Sequence, residues 1–281
     1  MTRVVKIIAH CLVKNEERFV WYAINSVLPY VDLIMVWDTG STVHTVPIIK
    51  SIVSSKIEFR EVGGVDEHSF TDRRQQMLTK TGSDITWIMI LDGDDIWPEM
   101  SIKTATNFAR THPEFESIVV RTHNLVGDIY HRSPEFSGHY NLAGRIGHFN
   151  LRFLNKKKIP GLHADKPHGQ QGYYDNLHRL VQERNKRWIK FIDVYLSHAT
   201  HLVRSETSQL DQTVVKRSGK FKHSLGLRIP PAQIPEVFFK LHPKLVPSVT
   251  RPASVGYWVI SSLVSPLKIV KRILWPNKDG Y

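Results

Sequence analysis

The stretch Ile88-Met89-Ile90-Leu91-Asp92-Gly93-Asp94-Asp95-Ile96-Trp97-Pro98-Glu99 decides how this chain is read. An apolar run that begins at Trp87 stops abruptly in three carboxylates around a glycine. Trp87 to Leu91 reads as a strand buried on both faces, as in a parallel sheet. Asp92, Asp94 and Asp95 then lie at its C-terminal end, the edge where open α/β sheets bind ligands. Carboxylates packed together repel, and a positive partner normally offsets that cost. A hard divalent cation, Mn²⁺ or Mg²⁺, carrying substrate phosphates would supply it. The plain alternative is an acidic turn in which Asp94 or Asp95 caps the next helix.

The strands on either side support a sheet. Upstream, Val4 to Val13 is an apolar run that ends in Lys14-Asn15-Glu16-Glu17. Phe19, Tyr22, Ala23, Ser26 and Val27 then repeat at helical spacing. Leu33 to Trp37 is a second strand, closed by Asp38-Thr39-Gly40-Ser41-Thr42. Pro47 to Ser54 makes a short helix and Ile57 to Val62 a third strand. After Gly63-Gly64, a helix over Asp72 to Thr81 returns to the central strand. The order β-α-β-α-β-α-β implies a mostly parallel sheet flanked by helices.

Downstream, a helix from about Glu99 to Thr111 leads to a strand at Ser117 to Thr122. His123 to Arg145 has no clear period and reads as an excursion over the sheet face. His148 to Leu154 is strand-like, and Ile159 to Asp175 is a glycine- and histidine-bearing loop. Asn176 to Lys186 looks helical, and Trp188 to Leu196 is the last strand, ending at Ser197-His198. Two regions are expected: a catalytic α/β domain over 1–205 and a basic, Pro-containing helical tail over 206–281.

Charge separates the same two regions. The net charge is +12, and +9 of it falls in the stretch from His201 to Tyr281. A basic tail on a near-neutral body points to an anionic surface or partner. The tail lacks the interleaved aromatic and basic residues of a nucleic-acid binder. Six prolines between Arg228 and Pro252 forbid long regular elements there. Val255, Val259, Leu263, Leu267, Val270 and Leu274 form an apolar stripe, beside Lys268, Lys271 and Arg272. Trp258 and Trp275 stand near its ends. The stripe is too charged and broken to span a bilayer. It fits an amphipathic helix lying on an anionic membrane surface, or else one packed on the protein's own core. Cys11 is the only cysteine, which excludes an intrachain disulfide and a cysteine-based zinc site. With no signal-peptide pattern in Met1 to Val13, a reducing cytoplasmic compartment is the expectation.

Four polar segments leave the sheet on one edge: Lys14 to Glu17, Asp38 to Thr42, the Arg73-Arg74 region and Asp92 to Asp95. Asn15 and Asp38 could hydrogen-bond a base or ribose, Arg74 could neutralise a phosphate, and Asp94 could hold a cation between two phosphates. Each has a structural alternative: Asn15 and Asp38 as helix N-caps, Arg74 as a solvated helix residue. Their joint position favours the ligand reading.

Leu12-Val13-Lys14-Asn15-Glu16-Glu17, Val36-Trp37-Asp38-Thr39-Gly40-Ser41-Thr42, Arg74 and Leu91-Asp92-Gly93-Asp94-Asp95 resemble, in order and spacing, the successive motifs of family-two glycosyltransferases. These are inverting enzymes of the GT-A fold that use nucleotide-sugar donors. The resemblance covers roughly residues 4 to 205. It implies that Asn15 and Glu16 line the nucleotide pocket and that Asp38 contacts the base. Asp92 would touch the ribose or nearby sugar, and Asp94, with Asp92, would serve the metal. Val43 departs from the pattern, because the family often carries an Asp there.

The resemblance also implies a catalytic carboxylate in the loop Pro160-Gly161-Leu162-His163-Ala164-Asp165-Lys166-Pro167-His168. Asp165 is the choice of base and Asp175 its rival. His163 and His168 are neighbours that could bind phosphate or substrate. His198, with His201 nearby, falls where some members keep a metal-binding histidine. The function so implied is metal-dependent transfer of a sugar from a nucleotide-diphosphate donor to an acceptor hydroxyl, with inversion, on a glycan or lipid-linked acceptor. The alternative is a non-catalytic nucleotide-sugar or glycan-binding protein of the same fold.

Overall fold

The computed structural model describes residues 4–64, 66, 69–167, 170–206, 209, 211, 214 and 223–274, with 267–274 as backbone only. The strands are β1 (Ile7–Val13), β2 (Leu33–Asp38), β3 (Ile57–Glu61), β4 (Trp87–Asp92), β5 (Asp95–Ile96), β6 (Ser117–Asn124), β7 (His131–Arg132), β8 (Tyr140–Leu142), β9 (Arg145–Gly147), β10 (Phe149–Asn155), β11 (His163–Asp165), β12 (Gly172–Tyr174), β13 (Ile189–His198) and β14 (Leu227–Arg228). The helices are α1 (Val20–Val27), α2 (Thr45–Lys50), α3 (Ser69–Lys80), α4 (Glu99–Thr111) and α5 (Val255–Leu274).

The central sheet has the order β3-β2-β1-β4-β10-β6-β13-β5. β1, β2, β3 and β4 pair in parallel. β10 runs against both β4 and β6, and β13 runs parallel to β6. The C-terminal ends of β1, β2, β4, β6 and β13 therefore share one edge. The chain steps from β1 out to β2 and β3, then returns to place β4 on the other side of β1. That reversal makes the gap between the ends of β1 and β4 a topological switch point.

Alternation along the buried strands feeds two helical layers. Ile7, Ala9, Cys11 and Val13 of β1, with Trp87, Met89 and Leu91 of β4, face Val20, Ile24, Ile102 and Ala105 of α1 and α4. Ile8 and Leu12, with Ile88 and Ile90, face Met77 and Leu78 of α3. Each Val, Ile, Leu or Met among them removed from water contributes about 1.5–3 kcal/mol. Only strands apolar on both sides can serve two layers, which is why these segments read as unbroken apolar runs.

The Pro-bearing segment wraps back onto the first layer. Ile229, Ile234, Val237, Phe238, Val246 and Val249 are buried in the cluster that holds α1. Tyr22 packs on Phe238 at 5.5 Å between ring centroids and donates its hydroxyl to Pro247 O at 3.1 Å.

Two expectations change. Residues 176–186 form no α-helix; short 3-10 turns lie at Val181–Glu183 and Lys186–Trp188. The carboxylate of Asp175 captures the N–H groups of Leu177 and Arg179, and His178 takes a left-handed φ of 55°. That local turn displaces the helix. Asp95 does not cap the next helix either. It begins β5, whose partner is the end of β13, and the α4 N-cap is Pro98 with no side-chain hydrogen bond.

α5 turns one face inward. Tyr257 and Ser261 are buried, and Tyr257 lies so close to Gly127 that a Cβ there would meet its ring at 2.6 Å. Val255, Val259 and Leu263 are 80%, 56% and 69% exposed. The side chains of Leu267, Lys268, Val270, Lys271, Arg272, Leu274 and Trp275 lie outside the described residues, as does His168. Among the described residues, no helix is long and apolar enough to cross a membrane.

Candidate active site

The three carboxylates of the central stretch sit at the switch point, each with its own positive partners. Asp92 ends β4. Arg74 of α3 reaches one of its oxygens at 3.1 Å, and Arg152 of β10 reaches the other at 2.9 Å. Burial opposes its charge, but Arg152 and then Arg74 hold its carboxyl far below the usual range. Asp95 is fully buried, 2.9 Å from the second guanidinium nitrogen of Arg152, and accepts the Asp92 N–H. Burial pushes its carboxyl up despite Arg152.

Asp94 is also buried. Its Oδ2 lies 2.8 Å from Arg204 Nη1 and 3.5 Å from His198 Nδ1. The same Arg204 nitrogen is 3.1 Å from Glu16 Oε1, so one guanidinium joins the β1 loop to the β4 loop. Gly93 permits this contact, since a Cβ there would meet Glu16 Cγ and Val13 Cγ1 at 2.9 Å.

His198 ends β13, opposite Asp95 in the ladder. Its Nδ1 is 2.9 Å from Asp95 Oδ1. Burial lowers its proton affinity, but Asp94 and Asp95 outweigh burial and raise it. With Nδ1–H given to a carboxylate, Nε2 is the nitrogen left for a ligand. Metal-binding histidines are commonly oriented this way. Four carboxylates (Glu16, Asp92, Asp94, Asp95) thus face three guanidiniums and one imidazole.

The first two motif loops are shaped by their own polar groups. Asn15 takes a left-handed φ of 52°, which Asn tolerates better than most residues. Its Oδ1 accepts the Thr42 N–H at 2.8 Å, and its own N–H donates to Ser41 Oγ at 2.8 Å. Asp38 accepts the N–H groups of Gly40 and Ser41 at 3.0 and 2.9 Å, and also the Ser41 hydroxyl. Gly40 has φ 85°, a conformation glycine adopts freely. The structure therefore brings Asn15, Glu16, Asp38, Arg74, Asp92, Asp94 and His198 to one sheet edge. Asn15 braces its loop against the next one, and Asp38 closes its own loop.

Asp165 and Asp175 stand apart from that edge and from each other in character. Asp165, on β11, is exposed and accepts the Lys166 N–H at 2.7 Å. β11 is fastened to α3, the helix that carries Arg74, through Gln75 Oε1 to the Ala164 N–H and Thr71 Oγ1 to Lys166 O. Asp175 is fully buried and clamped by Arg179 and Arg184, and Arg184 also holds Glu116. Its carboxyl lies far below the usual range, because backbone N–H groups and these arginines outweigh its burial.

Two partners of the acidic edge are absent from the sequence reading, Arg152 and Arg204. Arg152 sits where the register of β10 slips between Leu151 and Phe153. A bulge of this kind re-aims a side chain. One charge inside the apolar run Leu151-Arg152-Phe153-Leu154 was a visible signal that a buried counter-charge was needed. Arg204 lies in irregular chain after β13 and gave no such signal.

A family model described as glycosyl transferase family 2 matches residues 11–179. The chain belongs to glycosyl transferase family 2. It is a glycosyltransferase, and its helix-flanked, mostly parallel sheet is of the GT-A type. Similar solved structures include Staphylococcus aureus TarS 1–349, at 11% identity, covering 77% of this chain and 70% of that one, with a TM-score of 0.45. Another is Mycobacterium tuberculosis Rv0371c in complex with manganese, at 14% identity, covering 68% and 89%, with a TM-score of 0.38. A third is M. tuberculosis glucosyl-3-phosphoglycerate synthase with Mg²⁺ and uridine diphosphate, at 16% identity, covering 69% and 71%, with a TM-score of 0.44. No curated protein matches the chain.

Proposed function

We propose that this glycosyltransferase is metal-dependent and inverting, and takes a nucleoside-diphosphate sugar as donor. One observation carries the reading. Asp94 and His198 converge at the switch point, and a cationic guanidinium already rests on Asp94 Oδ2 at 2.8 Å. Carboxylate oxygen suits Mn²⁺ or Mg²⁺, an imidazole favours Mn²⁺ of the two, and Arg204 marks where positive charge is wanted. When bound, such an ion stabilises the charge of the departing diphosphate.

The chain's own residues do the rest. Asp94 and His198 would hold the cation, and Asp95 fixes the imidazole through Nδ1. Arg204, which also rests on Glu16, would share Asp94 with the ion. Asn15, Glu16 and Asp38 frame the nucleoside. Arg74 and Arg152 keep Asp92 ionised and oriented toward the ribose or sugar. Asp165 takes the proton from the acceptor hydroxyl, whose oxygen attacks the anomeric carbon as its bond to the diphosphate breaks. Attack from the face opposite the leaving group inverts that centre. Asp165 is favoured over Asp175, because a carboxylate clamped by two arginines and two N–H groups has little affinity left for a proton.

The acceptor would be a glycan or a lipid-linked sugar. The exposed Val255, Val259 and Leu263, with Lys268, Lys271 and Arg272 following in sequence, suit an anionic membrane surface, where each basic residue adds about 1 kcal/mol. A panel of nucleotide sugars, assayed for donor hydrolysis and transfer with and without Mn²⁺, tests the reading. Turnover of at least one donor only with metal is expected. Full turnover in chelator would overturn metal dependence, and retention of the anomeric configuration would overturn inversion.

A further inference from the structure

A second set of metal-ligating side chains lies away from the acidic edge, in the loop that carries Asp165. His163, Asp165 and His178 each offer one ligand atom, and these atoms all lie within 4.8 Å of one another. His163 Nδ1 is 2.9 Å from Gly161 O. A carbonyl can only accept, so Nδ1 carries the proton and the neutral ring keeps its lone pair on Nε2. That nitrogen is screened from solvent and has no hydrogen-bond partner among the described residues. Asp165 uses one oxygen on the Lys166 N–H, leaving the other available.

The third ligand comes from the turn after β12. His178 rests in the left-handed region at the tip of the turn that Asp175 organises, and its ring meets that of His163 edge-on at 5.0 Å. Arg184 ties Asp175 to Glu116 beside β6, so the turn is anchored to the sheet. Side chains fixed before binding lower the ordering cost of a metal site. The buried clamp at Asp175 thus acquires a purpose: it presents His178 to β11.

We propose that His163, Asp165 and His178 form a second cation site for Zn²⁺ or a similar borderline ion, and that its occupancy inhibits transfer. Two imidazoles and one carboxylate suit Zn²⁺ over Mg²⁺, and exposure of Asp165 and His178 leaves a coordination position to water. A coordinated Asp165 cannot take a proton. The inhibitory half rests on reading Asp165 as the base; the binding half does not.

Zinc binding to the full chain without nucleotide, measured by equilibrium dialysis, separates the two halves. His178→Asn suits the test, because Asn tolerates the left-handed backbone and is a poor zinc ligand. Asp94→Asn controls for the acidic edge. The wild type and D94N should bind one zinc that H178N binds at least tenfold more weakly. Zinc added to the Mn²⁺-loaded enzyme should inhibit the wild type at least tenfold more strongly than H178N. Equal zinc affinity in wild type and H178N would overturn the site. H178N-sensitive binding with no loss of turnover would overturn the inhibition and, with it, the assignment of Asp165 as base.

Discussion

Two regions of this molecule carry acidic side chains under opposite conditions. At the ends of β1, β4 and β13, four carboxylates are packed with Arg74, Arg152, Arg204 and His198. In β11, Asp165 stands in solvent with one backbone N–H and two histidines near it. Buried carboxylates must be countered or protonated, and their partners come from wherever the fold can supply them. An exposed carboxylate is hydrated and needs no such partner. The sheet edge fixes its charges against buried partners, and the β11 loop leaves Asp165 in water.

Substitution of Arg152 breaks the first half of that contrast. Arg152→Ala leaves Asp95 fully buried without its guanidinium and Asp92 with only Arg74. A loss of about 3–5 kcal/mol is expected, read as a lower urea midpoint. An unchanged midpoint would mean that the buried acids do not need their arginines. Asp165→Asn addresses the other half. Turnover should fall by about 10²–10⁴ with the urea midpoint and donor affinity unchanged. The same loss from Asp175→Asn, with D165N silent, would move the base to Asp175; a lower midpoint in D175N would instead fit its clamping role.

The sequence made the acidic edge legible in one direction only. Apolar runs stopping at Asn15, Asp38 and Asp92 revealed which residues end strands, and parallel topology brought those ends together. Of the partners, Arg152 showed only as a lone charge in an apolar run, with no sign of which acids it meets. Arg152 reaches the acids through a register slip that no alternation pattern encodes, and Arg204 comes from irregular chain beyond β13. The helix expected over Asn176 to Lys186 gives way to a turn, because the Asp175 side chain captures the Leu177 and Arg179 N–H groups that a helix would use. The tail showed its stripe but not its inward face, which Tyr257 and Ser261 form.

Acid titration sharpens the contrast between buried and exposed groups. His10, beneath the donor edge on β1, is brought down to about 3 from 6.5 by burial and then by Arg74, and burial brings His123 to about 3 as well. Between pH 6.5 and about 3 the unfolded chain binds these protons and the native chain does not. Stability should therefore fall with falling pH, by about 1.4 kcal/mol per unit for each histidine. His10→Asn should remove one proton's worth of that slope in urea unfolding. An unchanged slope would mean that His10 charges in the native state.

The smallest effect on stability belongs to the exposed face of α5. Val259→Asp with Leu263→Asp should shift the unfolding midpoint by no more than about 0.5 kcal/mol. The same pair should abolish salt-sensitive sedimentation with anionic vesicles. A large loss of stability would mean that this face covers protein, and the membrane reading would fail.

The central claim is that Asp94 serves a cation shared with the donor diphosphate. Calorimetric titration of UDP and GDP into wild type and Asp94→Asn, each with and without Mn²⁺, tests it most directly. The wild type should bind at least one nucleotide much more tightly with Mn²⁺ than without. D94N should bind it equally weakly in both conditions while keeping a native unfolding transition. A folded D94N that retains the full Mn²⁺ enhancement would contradict the account.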